Sequence, residues 1–129
     1  MQTDKSMSWV FFGATGRISR MVFLLGNLLL AVIQAFFVYQ MAISPEGSAA
    51  QSNWAAVASI LYFFFLWPMV MLGIKRLHDI DRPGIFSISL VVPILSIAAF
   101  IYLCVQPGTA GANQYGYETN RANPVAPRI

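Results

Sequence analysis

Three long apolar stretches alternate with short polar ones along this chain. They run from Met21 to Ile43, from Trp54 to Ile74 and from Ile85 to Val105, and none contains Lys, Arg, Asp or Glu. Each is about 21–23 residues long, so as a helix rising about 1.5 Å per residue it covers about 31–34 Å, enough for a hydrocarbon core of roughly 30 Å. Core helices of soluble proteins rarely stay apolar for so long. Open strands would leave backbone groups unsatisfied in lipid. The pattern therefore predicts an all-α polytopic membrane helix bundle with three transmembrane helices. It divides the chain into an interfacial N-terminal segment (1–20), a transmembrane domain (21–105) and an irregular polar tail (106–129).

Two prolines interrupt the apolar runs. Pro68 and Pro93 each remove a backbone donor and free a carbonyl one turn earlier. Ser89, Pro93 and Ser96 share a face, so the third segment is expected to kink at Pro93, with a re-entrant hairpin turning there as the alternative. Arg17 and Arg20 ahead of the first run have the look of a signal peptide's charged start. The run exceeds the usual length of about 7–15 residues, however, which favours an uncleaved helix.

The placement of Lys and Arg predicts orientation. Lys5, Arg17 and Arg20 precede the first run, Lys75, Arg76 and Arg82 lie in the second loop, and the first loop (44–53) has neither residue type. By the positive-inside rule the N-terminus and second loop are cytoplasmic. Three crossings would then carry the tail outside, with Arg121 and Arg128 too distant to weigh heavily.

Composition agrees with a lipid-facing surface. The hydrophobic fraction is 57% and the charged fraction 10%, against about 25% charged in soluble domains. The net charge of +3 comes mostly from two short basic clusters beside apolar runs. That pattern suits anionic head groups and lacks the broad basic stripe of a nucleic-acid face. One Cys and one His provide neither a disulfide nor an ordinary Cys/His zinc site within the chain. No catalytic, metal or cofactor constellation stands out.

Inside the spans, Asn27 and Gln34 share one helical face and are expected to turn inward, bonding between helices. Ser52, Ala55, Ala56 and Ser59 form a small-residue face suited to close packing, either within the chain or in a homo-oligomer. Trp9, Trp54, Tyr39 and Tyr102 sit at predicted boundaries, as interfacial aromatic anchors do.

Three polar clusters remain. The first is Gly16-Arg17-Ile18-Ser19-Arg20 and the second Lys75-Arg76-Leu77-His78-Asp79-Ile80-Asp81-Arg82-Pro83-Gly84. On a helical extension Asp79 can reach Lys75 at four residues, or Arg76 or Arg82 at three. The third is Gly108-Thr109-Ala110-Gly111-Ala112-Asn113-Gln114-Tyr115-Gly116, where glycines permit tight turns and can turn backbone N–H groups toward an anion. His78 and Asp79 are adjacent and do not face each other on a helix, so they form no evident acid–base dyad.

The ordered trio, a G-R-x-x-R motif, an R-R-L-H-D loop and a G-T-x-G-x-N-x-Y-G tail, resembles the bacterial domain of unknown function 805 family over roughly Phe12 to Gly116. Lys75 replaces the first loop arginine, Ile80–Asp81 stands where Thr–Gly is usual, and Ile85–Phe86 replaces a tryptophan pair. The resemblance implies a small multi-pass protein of the bacterial inner membrane and no particular reaction. The expected function is a non-enzymatic interaction or envelope-maintenance component. The alternative is a binder of anionic lipid head groups or another anion through Arg17, Arg20, Arg76 and Arg82, supported by His78 and Asp79. Partners expected on these grounds are membrane lipids and a second copy or another membrane protein, but not nucleic acid.

Overall fold

The computed structural model describes residues 7–116 and 119–120. Lys5, Arg121 and Arg128 lie outside the described residues, as do the ends of the N-terminal segment and tail. Four α-helices follow in order: α1 (Met7–Phe12), α2 (Arg20–Ile43), α3 (Ala49–Asp79) and α4 (Leu95–Val105), with a 3₁₀ segment, Gly84–Leu90, between α3 and α4.

Two of these helices are long and apolar enough to cross a membrane. α2 begins at Ser19, whose hydroxyl accepts the Val22 N–H at 3.2 Å. α3 begins at Ser48, which accepts the Gln51 N–H at 3.1 Å. Each cap satisfies a donor that the first helical turn leaves open. The connection between them, 44–48, turns through Gly47 at φ 76°, a conformation costly for any residue with a Cβ. The result is an antiparallel pair.

Their apolar side chains mostly face outward: only 11% of the most apolar window in α2 and 28% of that in α3 is buried. A core helix of a soluble protein would bury most of such a window. Exposed Phe63, Phe64, Ile60 and Val32 therefore describe a surface solvated by lipid. Gly26 lets the pair approach closely, since a Cβ there would stand 3.1 Å from both methyls of Leu72. Toward the loop, Trp54 packs on Phe37 with ring centroids 6.0 Å apart.

Both interior amides are half-buried. Gln34 donates across to the Ala58 carbonyl of α3 at 3.0 Å, whereas Asn27 donates within its own helix to Phe23 at 2.8 Å. The small-residue face packs little against this chain, with Ser52, Ala56 and Ser59 exposed.

The third apolar run departs from the predicted single span. It folds as the 3₁₀ segment, a break at Val91–Ile94, and the 11-residue α4. At about 1.5 Å per residue, 11 residues reach about 16 Å, half of a hydrocarbon core. The break has a local cause. Pro93 has no N–H and restricts Val92 before it. Ile94 then adopts φ 73°, ψ −55°, and the Leu95 N–H returns to the Pro93 carbonyl at 2.8 Å. That is a γ-turn, which reverses the chain within three residues.

Both arms of this hairpin end at the same pole. At its start, a Cβ on Gly84 would meet Ile74 Cγ2 at 2.8 Å. At its end, the Leu103 carbonyl accepts from Arg76 and the Val105 carbonyl from Arg20. The tail therefore lies beside the N-terminal segment, not at the opposite end of the bundle as three full crossings would require. The described core, Ile18, Phe23, Leu72, Leu77, Leu90 and Leu103, sits at this pole, with Phe23 and Phe100 rings 5.4 Å apart.

Candidate functional site: a buried arginine–aspartate junction

The last turns of α3 carry Lys75, Arg76 and Asp79, all buried. Arg76 and Asp79 are three residues apart and so share a helix face. The N-terminal segment is laid against this turn. Gly16 at φ 90° bends the chain, and the Ile18 N–H donates to the Lys75 carbonyl at 3.3 Å. Arg17 is thereby directed at Asp79.

The Asp79 carboxylate bridges two guanidinium groups. Arg17 Nε donates to Oδ1 at 3.0 Å and Arg76 Nη1 to Oδ2 at 2.6 Å. Arg17 is 1% exposed, Arg76 0% and Asp79 3%. Charges this deeply buried are tolerated only when paired and hydrogen-bonded. Backbone carbonyls supply the rest. Arg17 Nη1 donates to Gly111 at 2.7 Å and Gly116 at 3.1 Å, and Nη2 to Thr109 at 2.8 Å. Arg76 Nε donates to Leu103 at 2.8 Å, and its Nη2 donates to the Gln106 carbonyl. The planar fork of arginine suits such convergent acceptors.

The tail is shaped to this task. The Thr109 N–H donates to the Asp79 carbonyl at 2.7 Å. Gly108 lies against the carboxylate, where a Cβ would stand 2.0 Å from Asp79 Oδ2. Asn113 Nδ2 donates to the His78 carbonyl at 2.9 Å and to Thr109 Oγ1 at 3.2 Å. The glycine-rich segment thus presents carbonyl oxygens to Arg17, in place of the N–H groups that would cradle an anion. Asn120 closes the circuit, donating from its N–H to the Arg17 carbonyl at 2.7 Å and accepting the Ser19 N–H at 2.8 Å.

Of the six candidate residues, Arg17, Arg76 and Asp79 meet in this junction. His78 flanks it, half-buried, with Nδ1 3.1 Å from the Gly16 carbonyl and its ring stacked on Tyr115 at 4.0 Å. Nδ1 is therefore the protonated nitrogen of the neutral ring. Arg20 and Arg82 stay exposed, Arg20 donating to Val105 at 3.0 Å.

Two features were not foreseen from the sequence. Lys75 is paired with neither Asp79 nor solvent. Its ammonium caps the exit of α1, donating to the carbonyls of Trp9, at 3.0 Å, and Gly13, and lies 5.4 Å from the centre of the Trp9 ring. Trp9, expected as a lipid-interface anchor, covers this lysine and donates its indole N–H to Thr15 at 2.8 Å. A lysine one residue before the junction arginine, on a turn preceded only by apolar residues, was the available sign that the turn is buried.

Lipid-exposed apolar helices closed at one pole by a polar junction define an α-helical membrane protein. A model of the family described as protein of unknown function (DUF805) matches residues 11–117, and the chain belongs to that family. It is 29% identical over 119 residues to "Inner membrane protein YhaI" of Escherichia coli strain K12, covering 90% of this chain and 93% of the relative. The protein of that name from Escherichia coli O157:H7 matches to the same extent. No solved structure matches the chain.

Proposed function

We propose that this protein is a non-enzymatic component of the bacterial inner membrane, an interaction module whose cytoplasmic face is a folded polar cap. The observation carrying this reading is the Arg17–Asp79–Arg76 junction. It joins the N-terminal segment, the end of α3 and the tail, and its charged groups are occupied by one another and by carbonyls. Groups so committed hold surfaces in place rather than bind and release reactants.

In this reading α2 and α3 span, the third apolar run is a re-entrant hairpin, and both the N-terminus and the tail are cytoplasmic. The absence of Lys and Arg from residues 44–53 and their abundance at the pole support that orientation. Alkaline phosphatase inserted at Gly47 is expected to be active, and fused after Ile129 inactive, with a fluorescent-protein fusion after Ile129 bright. Phosphatase activity at Ile129 would sink the orientation. A photocrosslinker replacing exposed Gln114 is expected to yield one discrete protein adduct that Asp79→Asn abolishes. Adducts with lipid alone would overturn the interaction reading.

A second reading, anion or lipid head-group binding at the same pole, has one observation in its favour. Residues 17–20 and 75–82 contain Arg17, Arg20, Lys75, Arg76 and Arg82 against only Asp79 and Asp81. Arg20 and Arg82 are exposed there. An uncompensated positive pole attracts anionic lipid.

A further inference from the structure

The hairpin leaves a cleft of about 240 Å³ between its two arms and the end of α3. Arg82, Ser89 and Tyr102 line it together with apolar Leu77, Phe86 and Leu103. We propose that this cleft is a binding site for an anionic glycerophospholipid, with the phosphate on Arg82 and the Tyr102 hydroxyl. The proposal rests on the second reading and gives it a location different from the four-arginine cluster.

Four features lead there. The first is the supply of charge. Arg17 and Arg76 have their donors engaged, whereas Arg82 is exposed and borders the cleft. Its backbone is fixed, because the Arg82 N–H donates to the Leu77 carbonyl at 2.8 Å. A guanidinium grips phosphate oxygens through a planar fork.

The second is the absence of a competing carboxylate along the lining. Asp81, next in sequence, accepts from Gln114 Nε2 at 3.2 Å and so faces the tail. The third is the Tyr102 hydroxyl, near the end of α4. Tyr102 can donate its phenolic proton to a phosphate oxygen. Ser89 lies toward the break of the hairpin, below the phosphate, and spends its proton on the Phe86 carbonyl at 2.8 Å.

The fourth is the apolar wall together with depth. Leu77, Phe86 and Leu103 offer nothing to a free phosphate ion, but they suit the first methylenes of an acyl chain. Both arms of the hairpin end at the polar pole, so the cleft opens at head-group level. Phosphate above and hydrocarbon below is the arrangement a lipid has there.

The test uses the full chain purified in detergent and titrated with lipid by native mass spectrometry. The parent is expected to bind phosphatidylglycerol in preference to phosphatidylethanolamine. Arg82→Gln should weaken phosphatidylglycerol binding by about tenfold or more, the cost of a charge-assisted hydrogen bond, and Tyr102→Phe by about threefold to tenfold. Inorganic phosphate and glycerol 3-phosphate, added as competitors, should not displace the lipid. Displacement by inorganic phosphate would mean a general anion site and overturn the lipid assignment.

Arg82 is exposed, so Arg82→Gln keeps the fold, and circular dichroism of the variant checks this. If Arg82→Gln binds phosphatidylglycerol like the parent while Arg20→Gln does not, the cleft is refuted and head-group binding elsewhere at the pole survives. If the parent shows no preference for phosphatidylglycerol, both fall.

Discussion

Replacing Asp79 by Asn tests whether the junction holds the cap together. The substitution conserves shape but removes the charge shared by Arg17 and Arg76, and it points an amide N–H₂ at one of the two guanidinium groups. Both arginines are almost fully buried, so water cannot replace the lost partner without opening the structure. Removing one member of a buried ion pair costs about 3–5 kcal/mol. The tail carbonyls that also bind Arg17 offset part of that cost only while the tail stays docked, and Gly108 docks on the same carboxylate. The long helices have their own packing, so the loss falls on local opening of the cap. The assay is amide hydrogen exchange by mass spectrometry in lipid nanodiscs, read at peptides covering Ile18, Thr109 and Asn120. These amides donate to Lys75, Asp79 and Arg17 respectively. At about 1.4 kcal/mol per decade, protection should fall by roughly a hundredfold to a few thousandfold, while peptides within 28–40 of α2 stay as in the parent. Unchanged protection at Ile18 and Thr109 would show that backbone packing, not the shared carboxylate, closes the cap.

Three further outcomes are expected. Gly108→Ala should lower cap stability by about 1–3 kcal/mol, seen as faster exchange at Thr109, because Asp79 is held by two arginines and cannot retreat from a Cβ; parental exchange rates would contradict this. Ile94→Gly should raise the thermal midpoint in detergent by an amount equivalent to roughly 1 kcal/mol, since a β-branched residue is strained at φ 73° and Ile94 is too exposed to lose much packing; a lowered midpoint counts against the strain. Gln34→Leu should change stability by under about 1 kcal/mol, because the lost bond to Ala58 is balanced by removing Gln34 Oε1, a buried oxygen with no partner; a large loss of thermal stability would reveal a partner for that oxygen.

The two long helices were legible because their information is local. A charge-free run of span length predicts α2 almost to the residue. α3 exceeds its predicted 54–74 at both ends, since Ser48 caps it early and the Lys75–Asp79 turn continues it into the junction. The third run has the same length and apolarity as the others, so hydropathy alone treats it alike. Its fate depends on Pro93, which was visible, and on the bonds from Arg76 and Arg20 to Leu103, Gln106 and Val105, which were not. Likewise Arg17, Arg76 and Asp79 stood out as charged residues beside apolar runs. Their mutual burial and the division from exposed Arg20 and Arg82 depend on where the tail lies. Its carbonyls reach Arg17 across separations of 92 to 99 residues, far beyond any local pattern.

Those separations also impose an order of events during synthesis. When Arg17 and Arg20 leave the ribosome, the carboxylate that Arg17 will bind is still 62 residues away, and the carbonyls of Thr109, Gly111 and Gly116 come later still. At a synthesis pace of about 5–20 residues per second, Arg17 remains a bare, hydrated cation for several seconds. Charge near the ends of apolar segments orients them in this interval. Only when the tail emerges can Arg17 be withdrawn from water. One side chain can therefore serve first as a topological signal and afterwards as a clasp, and a nascent chain stopped short of Thr109 would retain the signal without the means to bury it.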